Sequence, residues 1–211
     1  MTDMFSAPAL PRLPIDGTDR TFPVGRIFCI GRNYADHAKE MGASAEAIFF
    51  MKPWDAVTTD TCIPYPPETE DLHHEVEMVM ALGEGGRPVA AGVGVDLTRR
   101  DLQARMKQKS APWEIAKAFH ASAPMGSLRE GMPPKSGAIT LSVNGERRQS
   151  GDLDQMIIAP DALLAELSRF FELRAGDLIF TGTPAGVGPV ARGDRVRAEI
   201  DGLPALEFDL V

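Results

Sequence analysis

Short runs of apolar residues, separated by glycine and proline, dominate the sequence, and most of them predict β-strands. The runs that are β-branched or alternate between apolar and polar residues cover 24–30, 47–51, 74–82, 139–143, 178–180, 195–200 and 206–210. An Asn-Gly pair at 144–145 follows one run and precedes another at 146–149. Because this pair readily adopts the positive φ angles of a type I′ turn, the two runs are predicted to form a hairpin.

Three segments predict helices instead. Residues 34–41 follow Asn33, a good capping residue, with Asp36 in the first turn and Gly42 after the end. Residues 97–110 have the spacing of a short polar helix, and residues 160–173 carry an apolar stripe that begins at a proline. Strands outnumber helices and do not alternate with them regularly, so the pattern favours an α+β fold.

The first 23 residues are predicted to be a loosely structured N-terminal arm, because prolines at 8, 11, 14 and 23 interrupt any periodicity. The remaining residues, 24–211, are predicted to form a single domain, a size at which one hydrophobic core suffices.

Composition narrows the possible functions. The chain has 211 residues, of which 44% are hydrophobic and 25% charged, as in globular proteins. Its formal net charge of -8 and the absence of a Lys/Arg cluster argue against nucleic-acid binding. Cys29 and Cys62 make no CxxC pair and no disulfide framework, and no apolar run approaches ~18 residues. The N-terminal residues are too acidic and too rich in proline to be expected as a signal peptide. We therefore expect a cytoplasmic protein without a membrane partner.

Glu75 and Glu77 stand out in the otherwise largely apolar run 74–82. Residues two apart in a strand point to the same face, so the two carboxylates would lie side by side. Two charges about 4 Å apart repel by roughly 4 kcal/mol at an effective dielectric near 20, and solvent, protonation or a divalent cation can relieve the repulsion. Oxygen ligands suit Mg²⁺ or Mn²⁺. Taken alone, the spacing favours an edge strand that exposes these acids to water.

His37 and Glu40 are neighbours on the surface of the predicted helix 34–41, since they lie three residues apart. A carboxylate beside an imidazole raises its basicity and fixes its tautomer, as a water-activating base requires. An exposed surface pair is the simpler interpretation of this pattern by itself.

Lys117 and the loop 181–188 are further candidates. Lys117 interrupts a mostly apolar stretch, either as a surface lysine whose stem covers apolar neighbours or as a cation that binds an anion. The loop has the sequence TGTPAGVG, so its backbone N–H groups can approach a ligand closely. It lacks the Lys-Ser/Thr pair of a phosphate-binding loop, and the glycines at 92 and 94 lack the third glycine of a dinucleotide site.

Six sequence strings resemble those of the fumarylacetoacetate hydrolase family, in the same order, and especially those of its small acylpyruvate-cleaving members. They are GRNYADHAKE (31–40), HHEVE (73–77), DLTRRDLQ (96–103), PWEIAK (112–117), VNGE (143–146) and TGTP (181–184). Two more strings, FMKPWD (50–55) and IPYPP (63–67), are most similar to those of fumarylpyruvate hydrolases.

The resemblance implies an α+β fold in which a mixed β-sheet is rolled into a partly open barrel, like the C-terminal domain of this family, usually as a homodimer. It makes residues 24–211 a catalytic domain with a lid helix that carries a water-activating dyad. The implied site residues are Glu75, Glu77 and Asp96 as ligands of one Mg²⁺ or Mn²⁺; His37, Glu40 and Lys117 in catalysis; and Arg32, Gln103 and Thr183 in substrate binding.

The implied activity is metal-dependent hydrolysis of the C–C bond of a 2,4-diketo acid, a small 2-oxo acid substrate. Fumarylpyruvate, cleaved to fumarate and pyruvate in aromatic catabolism, is the expected substrate. Two alternatives use the same metal site: decarboxylation or tautomerisation of oxaloacetate, and general acylpyruvate cleavage. A binding protein without activity is a further alternative, because only eighteen residues separate Glu77 from Asp96, fewer than in similar proteins. His120 stands where related sequences often have an aspartate, so that part of the substrate shell is expected to differ.

Overall fold

The secondary structure consists of many short strands and a few short helices. The computed structural model describes residues 4–6, 8–40 and 47–211, without the side chains of residues 38–40. The strands are β1 Arg12–Pro14, β2 Thr21–Pro23, β3 Ile27–Gly31, β4 Ile48–Lys52, β5 Val57–Thr58, β6 Cys62–Ile63, β7 Leu72–His74, β8 Val76–Leu82, β9 Pro88–Val95, β10 Thr98–Arg99, β11 Ala123–Pro124, β12 Arg129–Glu130, β13 Ala138–Val143, β14 Glu146–Asp152, β15 Leu178–Phe180, β16 Gly188–Val190, β17 Arg195–Ile200 and β18 Leu206–Leu210. The α-helices are α1 Ala35–Glu40, α2 Arg100–Gln108, α3 Glu114–Lys117 and α4 Pro160–Ser168, and 3₁₀ turns cover Trp54–Ala56, Glu84–Gly86 and Leu153–Gln155.

Two larger sheets organise the chain. One has the strand order β12-β9-β8-β15-β3-β4 and the other the order β14-β13-β17-β18-β6, with three small sheets beside them. Most pairs are antiparallel, whereas β15 runs parallel to β3 and β18 runs parallel to β6. The predicted mixed α+β fold is therefore confirmed, and the rolled, partly open barrel stays a prediction.

Strand β8 lies in the middle of the larger sheet and is buried along its whole length. The alternation predicted from the sequence sorts its side chains onto two hydrophobic cores. The first core receives Val76, Met78, Met80 and Leu82, and the second receives Val79 and Ala81. The interpretation of Glu75 and Glu77 as acids on the wet face of an edge strand is therefore wrong.

The short segment between Glu77 and Asp96 is accounted for by a direct hairpin between β8 and β9. Glu77 pairs with Gly94 across this hairpin, and the backbone N–H of Asp96 donates to the carbonyl of Glu75 at 2.8 Å. Since paired antiparallel strands bring their open ends together, no longer insert is needed to place Asp96 beside the two glutamates.

The N-terminal segment is more ordered than predicted, because β1 and β2 pair as a small antiparallel sheet. Leu13 lies opposite Phe22 in this pair, and both side chains are buried in the second core. Pro14 and Pro23 sit at the strand ends, where a missing N–H is tolerated. The division into an arm, 1–23, and a domain, 24–211, stays a prediction.

The other predicted elements are largely confirmed, with shifted ends. Asn144 and Gly145 connect β13 to β14 with φ angles of 52° and 83°, as a type I′ turn requires. Helix α4 ends at Ser168 rather than at residue 173, and the backbone N–H groups of Arg169 and Phe170 donate to carbonyls three residues back, which tightens the last turn. The predicted end of the first helix at residues 41 and 42 lies outside the described residues. Among the described helices, none has the length and apolar character needed to cross a bilayer.

We predict that Gly94→Ala destabilises the protein, because a methyl group there would lie only 2.7 Å from Met125 Sδ and Val79 Cγ2 and 2.8 Å from Phe180 Cε1. Overpacking of this kind costs about 1–3 kcal/mol, so thermal unfolding should show a clearly lower Tm. Gly126→Ala is the matched control, since its nearest contacts are ordinary ones at 3.5–3.6 Å. Equal Tm values for the two variants would contradict this description of the hairpin.

Candidate active site

The hairpin of β8 and β9 gathers three buried carboxylates, those of Glu75, Glu77 and Asp96. One carboxylate oxygen from each residue lies within 4.8 Å of the other two. All three side chains are buried, and Glu77 and Asp96 are only 2% and 0% exposed. The acids therefore meet in the interior, where water cannot relieve their repulsion.

Lys117 compensates two of these acids from the short helix α3. Its ammonium donates to Glu75 Oε2 at 2.8 Å, to Asp96 Oδ2 at 2.6 Å and to Thr98 Oγ1 at 2.6 Å, so all three of its N–H groups are used. The guanidinium of Arg100 on α2 pairs with the other oxygen of Glu75. Lys117 is buried, so its interpretation as a surface lysine is wrong.

Lys52 on β4 is a second buried lysine at the cluster, and it was missed from the sequence. Its ammonium lies 2.8 Å from Asp96 Oδ1 and 3.0 Å from Ser122 Oγ. It also donates to the backbone carbonyl of Lys117. Its position directly after the apolar run 47–51 was the signal that it could be buried, and a lysine is almost never fully buried unless it is paired.

The charges around the cluster shift the pKa values of the two glutamates in opposite directions. Burial acts to raise the pKa of Glu75, but the nearby charges of Lys117 and Arg100 outweigh it and hold this pKa well below its usual range. Burial, together with the charges of Asp96 and Glu75, raises the pKa of Glu77 well above its usual range. Its carboxylate accepts the backbone N–H of Gly182 at 2.6 Å.

The cluster fits a divalent cation such as Mg²⁺ or Mn²⁺. Within the part of the chain that the structure describes, no lysine or arginine forms an ion pair with Glu77, so this acid lacks the compensation that Glu75 and Asp96 receive. Hard carboxylate oxygens from three side chains are the ligands that these cations prefer.

A narrow cavity of about 30 Å³ opens beside the cluster. Its walls include five of the residues proposed from the sequence, together with the unforeseen Arg100 and Lys107. The five are Arg32, His37, Glu75, Gln103 and Lys117. A cavity of this size holds about one water molecule, so a substrate has to displace some of these side chains when it binds.

His37 is buried on α1 and faces this cavity, so it is not part of an exposed surface pair. Glu40 belongs to the same helix, but its side chain lies outside the described residues, and the dyad stays a prediction. Gln103 is buried on α2 and its side-chain oxygen accepts from Arg100 Nη1 at 2.6 Å.

Thr183 lies in the loop that follows β15, next to Gly182, whose N–H donates to Glu77 Oε2. It is buried, and its hydroxyl oxygen accepts a hydrogen bond from Gln149 Nε2 at 2.7 Å. Asn33, predicted to cap the first helix, instead bonds to this loop and to the chain before α4. Its side chain donates to the carbonyls of Thr181 and Ile158 at 2.8 and 3.0 Å. The glycine-rich loop is therefore held from two sides against the strand that carries Glu77.

Comparison with known proteins shows a family match and solved structures that are similar to this chain. Residues 26–211 match the family described as fumarylacetoacetate (FAA) hydrolase C-terminal. The crystal structure of fumarylpyruvate hydrolase from Pseudomonas aeruginosa in complex with Mn²⁺ and pyruvate has a TM-score of 0.97 and 45% sequence identity, covering 100% of this chain and 99% of that chain.

Curated relatives of a second kind are nearly as similar in sequence. The oxaloacetate tautomerase YcgM of Escherichia coli is 40% identical over 198 residues, which cover 86% of this chain and 90% of that protein. The mitochondrial oxaloacetate tautomerase of Homo sapiens is 39% identical over the same length and with the same coverage. With a match that extends over residues 26–211, the chain belongs to the fumarylacetoacetate hydrolase family.

Proposed function

We propose that this protein is a divalent-metal-dependent hydrolase that cleaves the C–C bond of a 2,4-diketo acid, with fumarylpyruvate as substrate and fumarate and pyruvate as products. The observation that carries the proposal is the buried cluster of Glu75, Glu77 and Asp96 beside a cavity lined by His37 and Lys117. The similarity to a fumarylpyruvate hydrolase that binds Mn²⁺ and pyruvate supports it.

Glu75, Glu77 and Asp96 are the proposed ligands of Mg²⁺ or Mn²⁺. When bound, this cation supplies a Lewis acid for the 2-oxo acid end of the substrate. Arg32 and Gln103, from the walls of the cavity, bind and orient the substrate beside it. Net negative charge on the protein does not oppose an anionic substrate, because the cavity itself is lined by cations.

His37 is the proposed general base. It removes a proton from a water molecule, whose oxygen attacks the carbonyl carbon distal to the 2-oxo acid. The bond between this carbon and the neighbouring methylene carbon then breaks, and the proton goes to the methylene carbon, which becomes the methyl group of pyruvate. Glu40 lies three residues further along α1, a spacing at which a carboxylate can orient the imidazole. Since His37 is buried, bulk water is kept away from the reacting bond.

Lys117 offsets the negative charge that develops on the attacked carbonyl oxygen. Burial lowers its pKa, but the carboxylates of Asp96 and Glu75 together raise it above the usual value, so the amine stays charged at neutral pH. Because each N–H group of Lys117 already donates to Glu75, Asp96 or Thr98, contact with substrate requires it to release one of these bonds.

The charge of the cavity favours a substrate with two carboxylates. Lys107 is half-buried in its wall, with Nζ 5.4 Å from the ring centre of Trp113. Among the described residues no carboxylate forms an ion pair with it, and burial, Arg100 and Arg32 lower its pKa. An anionic group of the substrate would relieve this crowding of cations, which favours fumarylpyruvate over the monoanionic acetylpyruvate.

A second candidate function is tautomerisation or decarboxylation of oxaloacetate, which also has two carboxylates. The 40% identity to an oxaloacetate tautomerase favours it. It would use the same acids and Lys117, without activation of water by His37.

A binding protein without activity is a weaker candidate, because the short segment before Asp96 forms a regular hairpin and leaves the acid cluster complete. A homodimer, the cytoplasmic location and a role in aromatic catabolism remain further parts of the proposal.

The function is tested by assaying fumarylpyruvate, acetylpyruvate and oxaloacetate side by side with added Mn²⁺ or Mg²⁺. We expect the fastest turnover for fumarylpyruvate, measured as the loss of its absorbance. Acetylpyruvate should be cleaved more slowly because it lacks the second carboxylate. Equal or faster turnover of oxaloacetate would make the second candidate the main activity.

His37→Ala is predicted to lower hydrolysis of fumarylpyruvate by about 10²–10⁴-fold, the usual contribution of a general base. Enolisation of oxaloacetate, which needs no activated water, should be retained to a larger extent. His120→Ala is the matched control, because the structure places His120 on the surface and outside the walls of the cavity, although the resemblance set it at the substrate shell. If His37→Ala and His120→Ala hydrolyse fumarylpyruvate equally fast, His37 is not the base.

A further inference from the structure

Gln149 on β14 is a fully buried amide that connects the strand of the acids to the glycine-rich loop. Its Oε1 accepts the backbone N–H of Val76 at 3.0 Å and lies 2.9 Å from His74 Nδ1. Its Nε2 donates to Thr183 Oγ1 at 2.7 Å and to the carbonyl of Pro184 at 2.9 Å. The side chain therefore satisfies its two acceptor and two donor positions within the protein.

The orientation of this amide is fixed by its partners. A backbone N–H such as that of Val76 can only donate, and a carbonyl such as that of Pro184 can only accept, so Oε1 and Nε2 cannot exchange places. His74 Nδ1, which faces Oε1, must then carry the proton of its ring. A change in register between β13 and β14 sets Gln149 opposite Leu141 and places this amide in the interior.

The fixed amide determines the direction of the hydrogen bond at Thr183. Because Nε2 of Gln149 donates to the hydroxyl oxygen, the hydroxyl hydrogen of Thr183 must point elsewhere. Among the residues that the structure describes, none accepts this hydrogen, although Thr183 is only 2% exposed. Buried hydroxyl groups normally have partners, so this hydrogen is available to an acceptor that enters the site.

The same loop contacts the acid cluster directly. Gly182, next to Thr183, donates its N–H to Glu77 Oε2 at 2.6 Å. On the other side of Gln149, Val76 is the residue between Glu75 and Glu77. Gln149 therefore bonds to Val76, between the two glutamates, and to Thr183 in the loop, and these two contacts set the spacing between the carboxylates and Thr183.

We propose that Gln149 is a positioning residue, whose amide makes the Thr183 hydroxyl a hydrogen-bond donor to an oxygen of the bound 2-oxo acid. The proposal rests on the proposed function, since it places the 2-oxo acid next to the acid cluster. It does not depend on whether the acid is hydrolysed or tautomerised.

The test is a double-mutant cycle with Gln149→Met, which has similar volume but cannot donate, and Thr183→Val. Binding of oxalate, an unreactive mimic of a 2-oxo acid, is measured by calorimetry on the Mn²⁺-loaded protein. Each single variant should weaken oxalate binding by about 10- to 100-fold, the usual effect of losing a hydrogen bond to a charged group. The double variant should bind no more weakly than Thr183→Val alone, because Gln149 acts through that hydroxyl.

Two further variants keep the proposal falsifiable. Gln149→Glu keeps an acceptor for the backbone N–H of Val76, but its carboxylate would accept the hydroxyl hydrogen of Thr183. It should therefore weaken oxalate binding at least as much as Gln149→Met. This variant provides the test if Gln149→Met folds poorly. Thr140→Val, at a buried threonine on the neighbouring β13, should leave oxalate binding unchanged.

Losses that add in the double variant, or wild-type oxalate binding by either Gln149 variant, would overturn the proposal. Failure of the proposed function would give a different result. The wild-type protein would then bind oxalate with Mn²⁺ and show the same cycle, yet leave fumarylpyruvate intact.

Discussion

The repulsion among three carboxylates that cannot reach water governs this structure. Strand β8 is covered on both faces, so Glu77 cannot turn to solvent, and the hairpin with β9 holds Asp96 beside it. Removal of charged groups from water costs several kcal/mol per ion unless opposite charge or hydrogen bonds compensate it. Lys117 and Lys52 supply such charge to Asp96. Among the described residues, Glu77 receives only the backbone N–H of Gly182, so a proton or a further cation has to relieve its repulsion with the other two acids.

The burial of the three acids in the sheet also distinguishes a rigid part of the site from an adaptable part. The acids lie on paired strands at the centre of a sheet, whereas His37 lies on α1, which the structure describes from Ala35 to Glu40. The cavity beside the acids holds about one water molecule, so its walls have to move when a substrate enters. Such an arrangement suits a reaction in which the proposed metal ligands stay fixed while the proposed base and the cavity walls adjust around the substrate.

Much of the fold and of the candidate site could be predicted from the sequence, and the predictions that were wrong or missing have physical causes. Alternation along residues 74–82 predicted both faces of β8, because side-chain period is local information. Whether Glu77 meets solvent depends on β9, the hairpin partner of β8, and on β15, which comes from a distant part of the chain, so spacing alone could not show it. Lys52 was missed because its place beside an apolar run shows only that it could be buried, whereas its pairing with Asp96 depends on packing between distant parts of the chain. The pairing of β1 with β2 was missed because prolines interrupt the alternation of apolar and polar residues in both strands. Only Leu13 and Phe22 mark the buried positions.

Titration of Mn²⁺ into the chelator-treated protein, for the wild type and for Glu77→Gln, tests the central claim most directly. We predict one Mn²⁺ per chain for the wild type, and affinity that rises with pH, because the raised pKa of Glu77 means that a proton must leave before the carboxylate can bind the metal. Glu77→Gln should bind at least about 10-fold more weakly, with little dependence on this proton. Equal Mn²⁺ affinity for both proteins, or full activity without any metal, would contradict the account.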